Sequence, residues 1–131
     1  MTLLDTNVVI HCLKGREPAA ARFRAALPSE IAIPSGVGYE LEYGTLRIAS
    51  PQRRRILSRM LQNLVEIPFD REAARESAQI RFDLERRGIV IGPLDLLIAG
   101  TALSLGAILA TNNTSEFSSI KGLRLEDWTS P

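Results

Sequence analysis

Cysteine and histidine each occur once in the 131 residues, as Cys12 and His11. That scarcity excludes a structural zinc site, a disulfide framework and any chemistry needing two imidazoles. Cys12 stands in the apolar run 8–13, where an inert buried thiol is expected. Lysine is nearly missing too: of sixteen cationic residues only Lys14 and Lys121 are Lys, so positive charge is carried by arginine, whose bidentate fork suits carboxylate and phosphate. Aromatic residues make up 5% and are scattered, which argues against stacking on unpaired bases and for recognition of shape and backbone. No apolar run approaches the ~18 to 20 residues of a membrane span. The N-terminus has no basic segment leading into a long apolar one, so no secretory signal and no membrane partner are expected, and a reducing cytoplasm is the expected compartment. The formal charge of +1 and pI near 7.9 exclude a polybasic binder, so any attraction to a polyanion must be local.

What is present is enough apolar material, 45%, for one domain over residues 1–131 that buries roughly two thirds of its unfolded surface. Short apolar runs at 2–4, 31–33, 65–68, 107–110 and 122–128 read as strands. Between them, segments beginning near residue 6, at 19–27, after Pro34-Ser35, at 52–64, at 70–87 and at 94–105 read as helices. Ser35 is the expected cap of the third helix, and Pro51 opens the fourth. In the 70–87 helix the expected inward stripe is Ala74, Ala78 and Phe82 with Ile80 or Leu84. Gly88 and Gly106 stop the two last long helices. Residues 111–117 read as a polar loop or helical turn. Strand and helix alternate with short connections, which implies an α/β fold: a mainly parallel sheet of four or five strands with helices on both faces. Ligands of such sheets gather at the carboxyl ends of the strands.

Most of the fifteen acids sit beside arginines on segments that read as solvated faces. Four do not. Asp5 ends the first apolar run, where it either caps the following helix or stands as a costly buried charge. Asp95 is the sole charge between Arg87 and Glu116, in the first turn of an otherwise apolar helix, where the macrodipole alone could account for it. Glu40 lies two residues before Glu42, about 200° around a helix, so only one of the two can face a cleft, and Glu42 is expected to face solvent. Glu116 follows the 107–110 strand. If the first and last core strands are parallel, Asp5 and the 113–116 loop leave the sheet on one edge with Asp95 beside them. Crowded carboxylates raise one another's pKa unless a cation joins them. Oxygen ligands without His or Cys favour Mg²⁺ or Mn²⁺, and such an ion, activating water for in-line attack, is suited to phosphodiester hydrolysis.

The motifs Leu3-Leu4-Asp5-Thr6-Asn7, Glu40-Leu41, Gly92-Pro93-Leu94-Asp95-Leu96-Leu97-Ile98-Ala99 and Ala110-Thr111-Asn112-Asn113-Thr114-Ser115-Glu116-Phe117, followed by Gly122-Leu123-Arg124-Leu125-Glu126-Asp127-Trp128, resemble PIN-domain ribonucleases, and among them VapC-type toxins of type II toxin-antitoxin pairs. The resemblance runs from Leu3 to Trp128. It implies a single PIN-like domain with Mg²⁺- or Mn²⁺-dependent endoribonuclease activity on structured RNA, a tRNA or ribosomal RNA loop. It implies Asp5 and Asp95 as the surest metal ligands, Glu40 as a ligand directly or through water, and Glu116 as the loop acid. Many PIN domains carry Asp where this chain has Asn113. Thr6, Thr111 and Asn113 are implied as residues that orient the carboxylates.

The resemblance further implies a cognate antitoxin that covers the cleft and inserts a basic side chain among the acids. It also implies a homodimer, through the helices around 39–48 or 51–64. Candidate phosphate contacts are Arg53, Arg54, Arg55 and Arg59, or Arg81, Arg86 and Arg87. A catalytically impaired PIN-like module binding RNA or protein is the alternative that Asn113 keeps open. A phosphoacceptor switch fails for want of an acidic pair and a suitably placed Lys, and no phosphate-loop or dinucleotide motif is present.

Overall fold

Leu3 and Leu4 are consecutive and both fully buried at 0% exposure. Neighbouring strand side chains point to opposite faces, so the strand that carries them must be covered on both sides. In the computed structural model, which describes residues 1–131, that strand is β1 (Thr2–Leu4), the middle of a five-stranded sheet. The others are β2 (Ile31–Pro34), β3 (Glu66–Ile67), β4 (Ile108–Ala110) and β5 (Arg124–Glu126), in spatial order β3-β2-β1-β4-β5. Every pairing is parallel, with Leu3 opposite Ala32 on one side and Leu109 on the other. Seven helices accompany the sheet: α1 (Thr6–Leu13), α2 (Ala19–Ala25), α3 (Ser35–Leu46), α4 (Pro51–Gln62), α5 (Arg71–Arg86), α6 (Pro93–Leu105) and the single turn α7 (Thr114–Phe117).

The chain runs outward from β1 to β2 and β3, then returns to the other flank of β1 for β4 and β5. The crevice at the carboxyl end of β1 and β4 is therefore a topological switch point, where loops diverge and leave room for a ligand. Asp5 directly follows β1 and Thr111 directly follows β4, so the switch point is built from these two residues. The Asp5 N–H donates to the Ala110 carbonyl (2.9 Å) and the Thr111 N–H to that of Glu126 (2.9 Å), extending both pairings to this rim.

Several local expectations give way to tertiary contacts. The buried face of α5 is Ala73, Ser77, Ile80 and Leu84, while Ala74, Ala78 and Phe82 are exposed. Ile80 and Leu84 of the expected stripe are buried, but Ala73 and Ser77 stand in for Ala74 and Ala78, a displacement of one residue, about 100° of rotation. Its cause is the close approach of α5 to α6 at Gly100, which admits the small Ser77. The Ser77 hydroxyl donates to the Leu96 carbonyl (3.1 Å), and Phe82 stays outside with the Arg86 guanidinium 5.6 Å from its ring centre. Ser35 does not cap α3: it is the first helical residue, and its hydroxyl donates to the Ile67 carbonyl (3.0 Å), tying α3 to β3. The second helix stops at Ala25, and the last strand is three residues rather than seven.

Gly100 gives the first testable outcome. A Cβ there would lie 1.9 Å from the Ser77 Oγ and 2.8 Å from both the Ala73 carbonyl oxygen and the Ser77 nitrogen. Helix propensity alone makes Gly→Ala favourable by about 1 kcal/mol, but backbone atoms cannot swing aside as a flexible side chain does, and overpacking costs about 1–3 kcal/mol. Gly100→Ala should therefore lower stability in urea unfolding; an unchanged or raised midpoint would contradict this packing.

Candidate active site

Asp5 is 8% exposed, and a carboxylate so placed must have donors. One of its oxygens, Oδ1, accepts the Thr6 N–H at 2.9 Å, so Asp5 does cap α1. The other, Oδ2, accepts the Thr111 hydroxyl at 2.7 Å, across 106 residues of chain. The two readings open for Asp5 in the sequence thus hold together: it is at once a cap and a buried charge facing a cleft.

From Asp5 two hydrogen-bonded arms reach the other acids. The Thr6 hydroxyl donates to Glu40 Oε1 at 2.7 Å, fixing the second-turn acid of α3. The Thr111 Oγ1 accepts the Asn113 N–H at 3.0 Å, and the Asn113 side-chain amide donates to Glu116 Oε2. Thr6, Thr111 and Asn113 therefore all touch carboxylates or each other around the cleft, and Glu42 is exposed on the far side of α3. An Asn7–Asn112 amide contact at 3.4 Å closes the rim. The sequence reading did not single out that pair, although its placement just beyond two strand ends was a usable signal.

Asp95 completes the group from the first turn of α6, which begins at Pro93 behind Gly92. Burial pushes its carboxyl up to about 6, and Glu116, Asp5 and Glu40 add to the rise through their charges. Burial also raises Asp5; the Thr111 and Thr6 hydrogen bonds hold it back, and Glu40 and Glu116 push it further. The three ion pairs of the protein are Arg24–Glu17, Arg75–Glu72 and Arg81–Glu85, so none of the four acids has a basic partner. No three His, Cys, Asp or Glu side chains are closed onto one point. The acids stand as electrostatic neighbours, not as a finished coordination shell. Their donor set, all carboxylate oxygen with no protein cation to balance it, suits a hard divalent ion.

The candidate phosphate contacts separate into two kinds. Arg53, Arg54, Arg55 and Arg59 lie on α4, which contains no acid, and none of them is ion-paired. On α5 and just beyond it, Arg81 binds Glu85 at 2.9 Å, Arg86 lies over Phe82, and Arg87 donates to the Ser119 carbonyl. His11 is in the last turn of α1 with its Nδ1 buried and without a partner. Burial raises the Cys12 thiol to about 11, and its Sγ donates weakly to the Ala19 carbonyl (3.6 Å), as an inert thiol would. No helix is long and apolar enough to cross a membrane.

Comparison with known proteins identifies the family. The PIN domain family matches residues 2–123. The chain is 39% identical over 129 residues to the tRNA(fMet)-specific endonuclease VapC of Shigella flexneri, covering 97% of both chains. Among solved structures it superposes on DNA-bound VapBC from Salmonella typhimurium with a TM-score of 0.89 and 37% identity, covering 97% of each chain. It superposes on VapBC2 from Rickettsia felis, bound to a DNA fragment from its promoter, with a TM-score of 0.87 and 32% identity, covering 97% of this chain and 98% of that one. The chain that carries these four acids thus belongs to the PIN-domain family, among its VapC members.

Proposed function

We propose that this protein is the toxin of a toxin-antitoxin pair, a divalent-ion-dependent endoribonuclease that hydrolyses phosphodiester bonds in structured RNA, with tRNA the first class to test. The observation that carries the reading is the gathering of Asp5, Glu40, Asp95 and Glu116 at one switch point without a basic residue among them. Mg²⁺ or Mn²⁺ would be held by Asp5 and Asp95, with Glu40 and Glu116 supplying further oxygens. When bound, such an ion lowers the pKa of water and offsets charge on the scissile phosphate.

The chain's own residues fix the geometry. Thr111 and the Thr6 backbone hold both oxygens of Asp5, the Thr6 hydroxyl orients Glu40, and the Asn113 amide orients Glu116. No imidazole is placed to take a proton, since His11 is not among the acids. The name of the Shigella flexneri relative supports RNA as substrate, and the VapBC complexes support an antitoxin partner. That partner's covering of the cleft, with a basic side chain among the acids, would relieve the same repulsion as an ion. A second copy of the chain is the expected neighbour of the exposed Tyr39 and Tyr43 on α3, and the cytoplasm is the expected compartment. The alternative, an impaired PIN-like module that binds RNA or protein, is favoured only if the wild type with Mg²⁺ or Mn²⁺ cuts no RNA.

Asp95→Asn should abolish RNA cleavage, by at least 100-fold, because an amide fits the space but binds a hard cation poorly. Undiminished cleavage in added Mg²⁺ would remove Asp95 from the site. The same variant should be more stable than the wild type in EDTA. The full displacement of Asp95 to about 6 corresponds to roughly 3 kcal/mol, which solvent screening of this half-exposed group reduces to about 1 kcal/mol.

The ion-free wild type should also lose stability as pH rises. Unfolded carboxyls titrate near 4, whereas those of Asp5 and Asp95 are raised in the fold. The folded chain therefore binds more protons through this window, and the relative stabilisation present below about pH 4 is lost as pH climbs through about 6. Urea midpoints in EDTA from pH 4.5 to 7.5 should fall for the wild type and fall less for Asp95→Asn; equal slopes would contradict the coupling.

A further inference from the structure

Resting on the endoribonuclease reading, we propose that Asn7 and Asn112 form a paired-amide site for a ribose 2′-hydroxyl beside the cut, and so make the acid cleft selective for RNA over DNA. Asn7 Nδ2 donates to Asn112 Oδ1 at 3.4 Å, and both residues are exposed. That bond is longer than the usual ~2.9 to 3.0 Å of an N–H···O contact, so little is lost when an outside partner competes for it.

Their position follows from the residues beside them. Asn112 stands between Thr111, whose hydroxyl donates to Asp5, and Asn113, whose amide donates to Glu116. Asn7 follows Thr6, whose N–H donates to Asp5 and whose hydroxyl donates to Glu40. Each amide is therefore one residue, about 3.8 Å between Cα atoms, from a group that holds an acid. The segments 5–7 and 111–113 are bridged twice: Asp5 and Thr111 join them in the interior, and Asn7 and Asn112 join them at the surface. The amides are the solvent side of the junction that carries Asp5. Neither segment belongs to α3 or α4, the helices where a second copy is expected.

The chemistry of the pair selects its guest. The bond between the amides leaves the Asn7 carbonyl without a donor and the Asn112 NH2 group without an acceptor. Reversing which amide donates leaves the same complement, one acceptor beside one donor. A ribose 2′-hydroxyl donates one hydrogen bond and accepts another, and deoxyribose offers neither. A phosphate fits less well, because it only accepts and would set its charge against the free carbonyl. No Lys or Arg lies in either segment. An arginine here would be drawn onto the unpaired acids, whereas a neutral amide leaves them free for a divalent ion.

The test uses the full chain with Asn7→Ala and Asn112→Ala combined, and the single variants Asn7→Ser and Asn112→Ser should the double variant unfold. The probe is the stem-loop that the wild type cuts in bulk tRNA, or the anticodon stem-loop if it cuts none. It is made as RNA and as a series with one 2′-deoxynucleotide at each loop position. Binding is measured in an Asp95→Asn background. Cleavage with Mg²⁺ is measured on the same series and on bis-p-nitrophenyl phosphate, a diester without ribose. With both amides present, 2′-deoxy substitution at one position should weaken binding about fivefold or more, as loss of two hydrogen bonds does. In the double variant the all-ribose probe should weaken by the same factor, and that deoxy position should cost nothing further. In either single variant the deoxy penalty should shrink. RNA cleavage by the double variant should fall at least fivefold further than its cleavage of the small diester. A deoxy penalty that survives undiminished, no penalty at any position with both amides present, or an equal fall on RNA and the small diester would each overturn the assignment. A wild type that cuts neither bulk tRNA nor the small diester sinks the nuclease reading instead, and the binding series still decides the amides.

Discussion

Taking a carboxylate out of water costs several kcal/mol unless donors or a cation compensate it, and Asp5 meets that constraint at the junction of two distant parts of the chain. Its oxygens accept one donor from the residue beside it and one from Thr111, which directly follows the strand paired with β1. The second donor exists only if β1 and β4 are parallel and in register, with Leu4 beside Ala110. Sheet pairing and site assembly are therefore one event. A slip of one residue would carry Thr111 away from Asp5.

The donors compensate Asp5 only in part. Its carboxyl remains raised, and Asp95 more clearly so, because neither the hydrogen bonds nor any basic side chain offsets the four charges together. Stability has been given up at this corner, where an added positive charge would be favoured. On the proposed function, an antitoxin's basic side chain and a divalent ion would be alternative solutions to the same electrostatic problem, giving a toxin and its inhibitor one chemical logic.

The sequence carried the architecture well because its signals are local and repeated. Alternation of apolar runs with capped helices implied a parallel sheet, and the isolation of Asp95 in an uncharged helix marked it before any coordinates did. What it could not carry were contacts chosen by partners far away. Ser77 faces inward because Gly100 lets α6 approach and the Leu96 carbonyl needs a donor; on α5 alone, the neighbouring Ala78 is the more apolar choice for that place. Ser35 looks like a cap until β3 offers it the Ile67 carbonyl. The two arginine clusters were equivalent as text and differ only in whether nearby acids and rings engage them.

Asn113 shows how a departure from a family pattern can be read through charge balance. An aspartate there would place a fifth carboxylate against Glu116 and withdraw the amide that now donates to it. In a cleft where burial and mutual repulsion already raise Asp5 and Asp95, added negative charge would have to be neutralised by a proton or a second cation. The amide instead supplies a donor with no charge of its own, and its backbone N–H holds Thr111 in place to serve Asp5. Asn113 leaves the four-acid set intact and links its first strand to its loop. Losing an acid at this position therefore does not by itself argue for losing the chemistry.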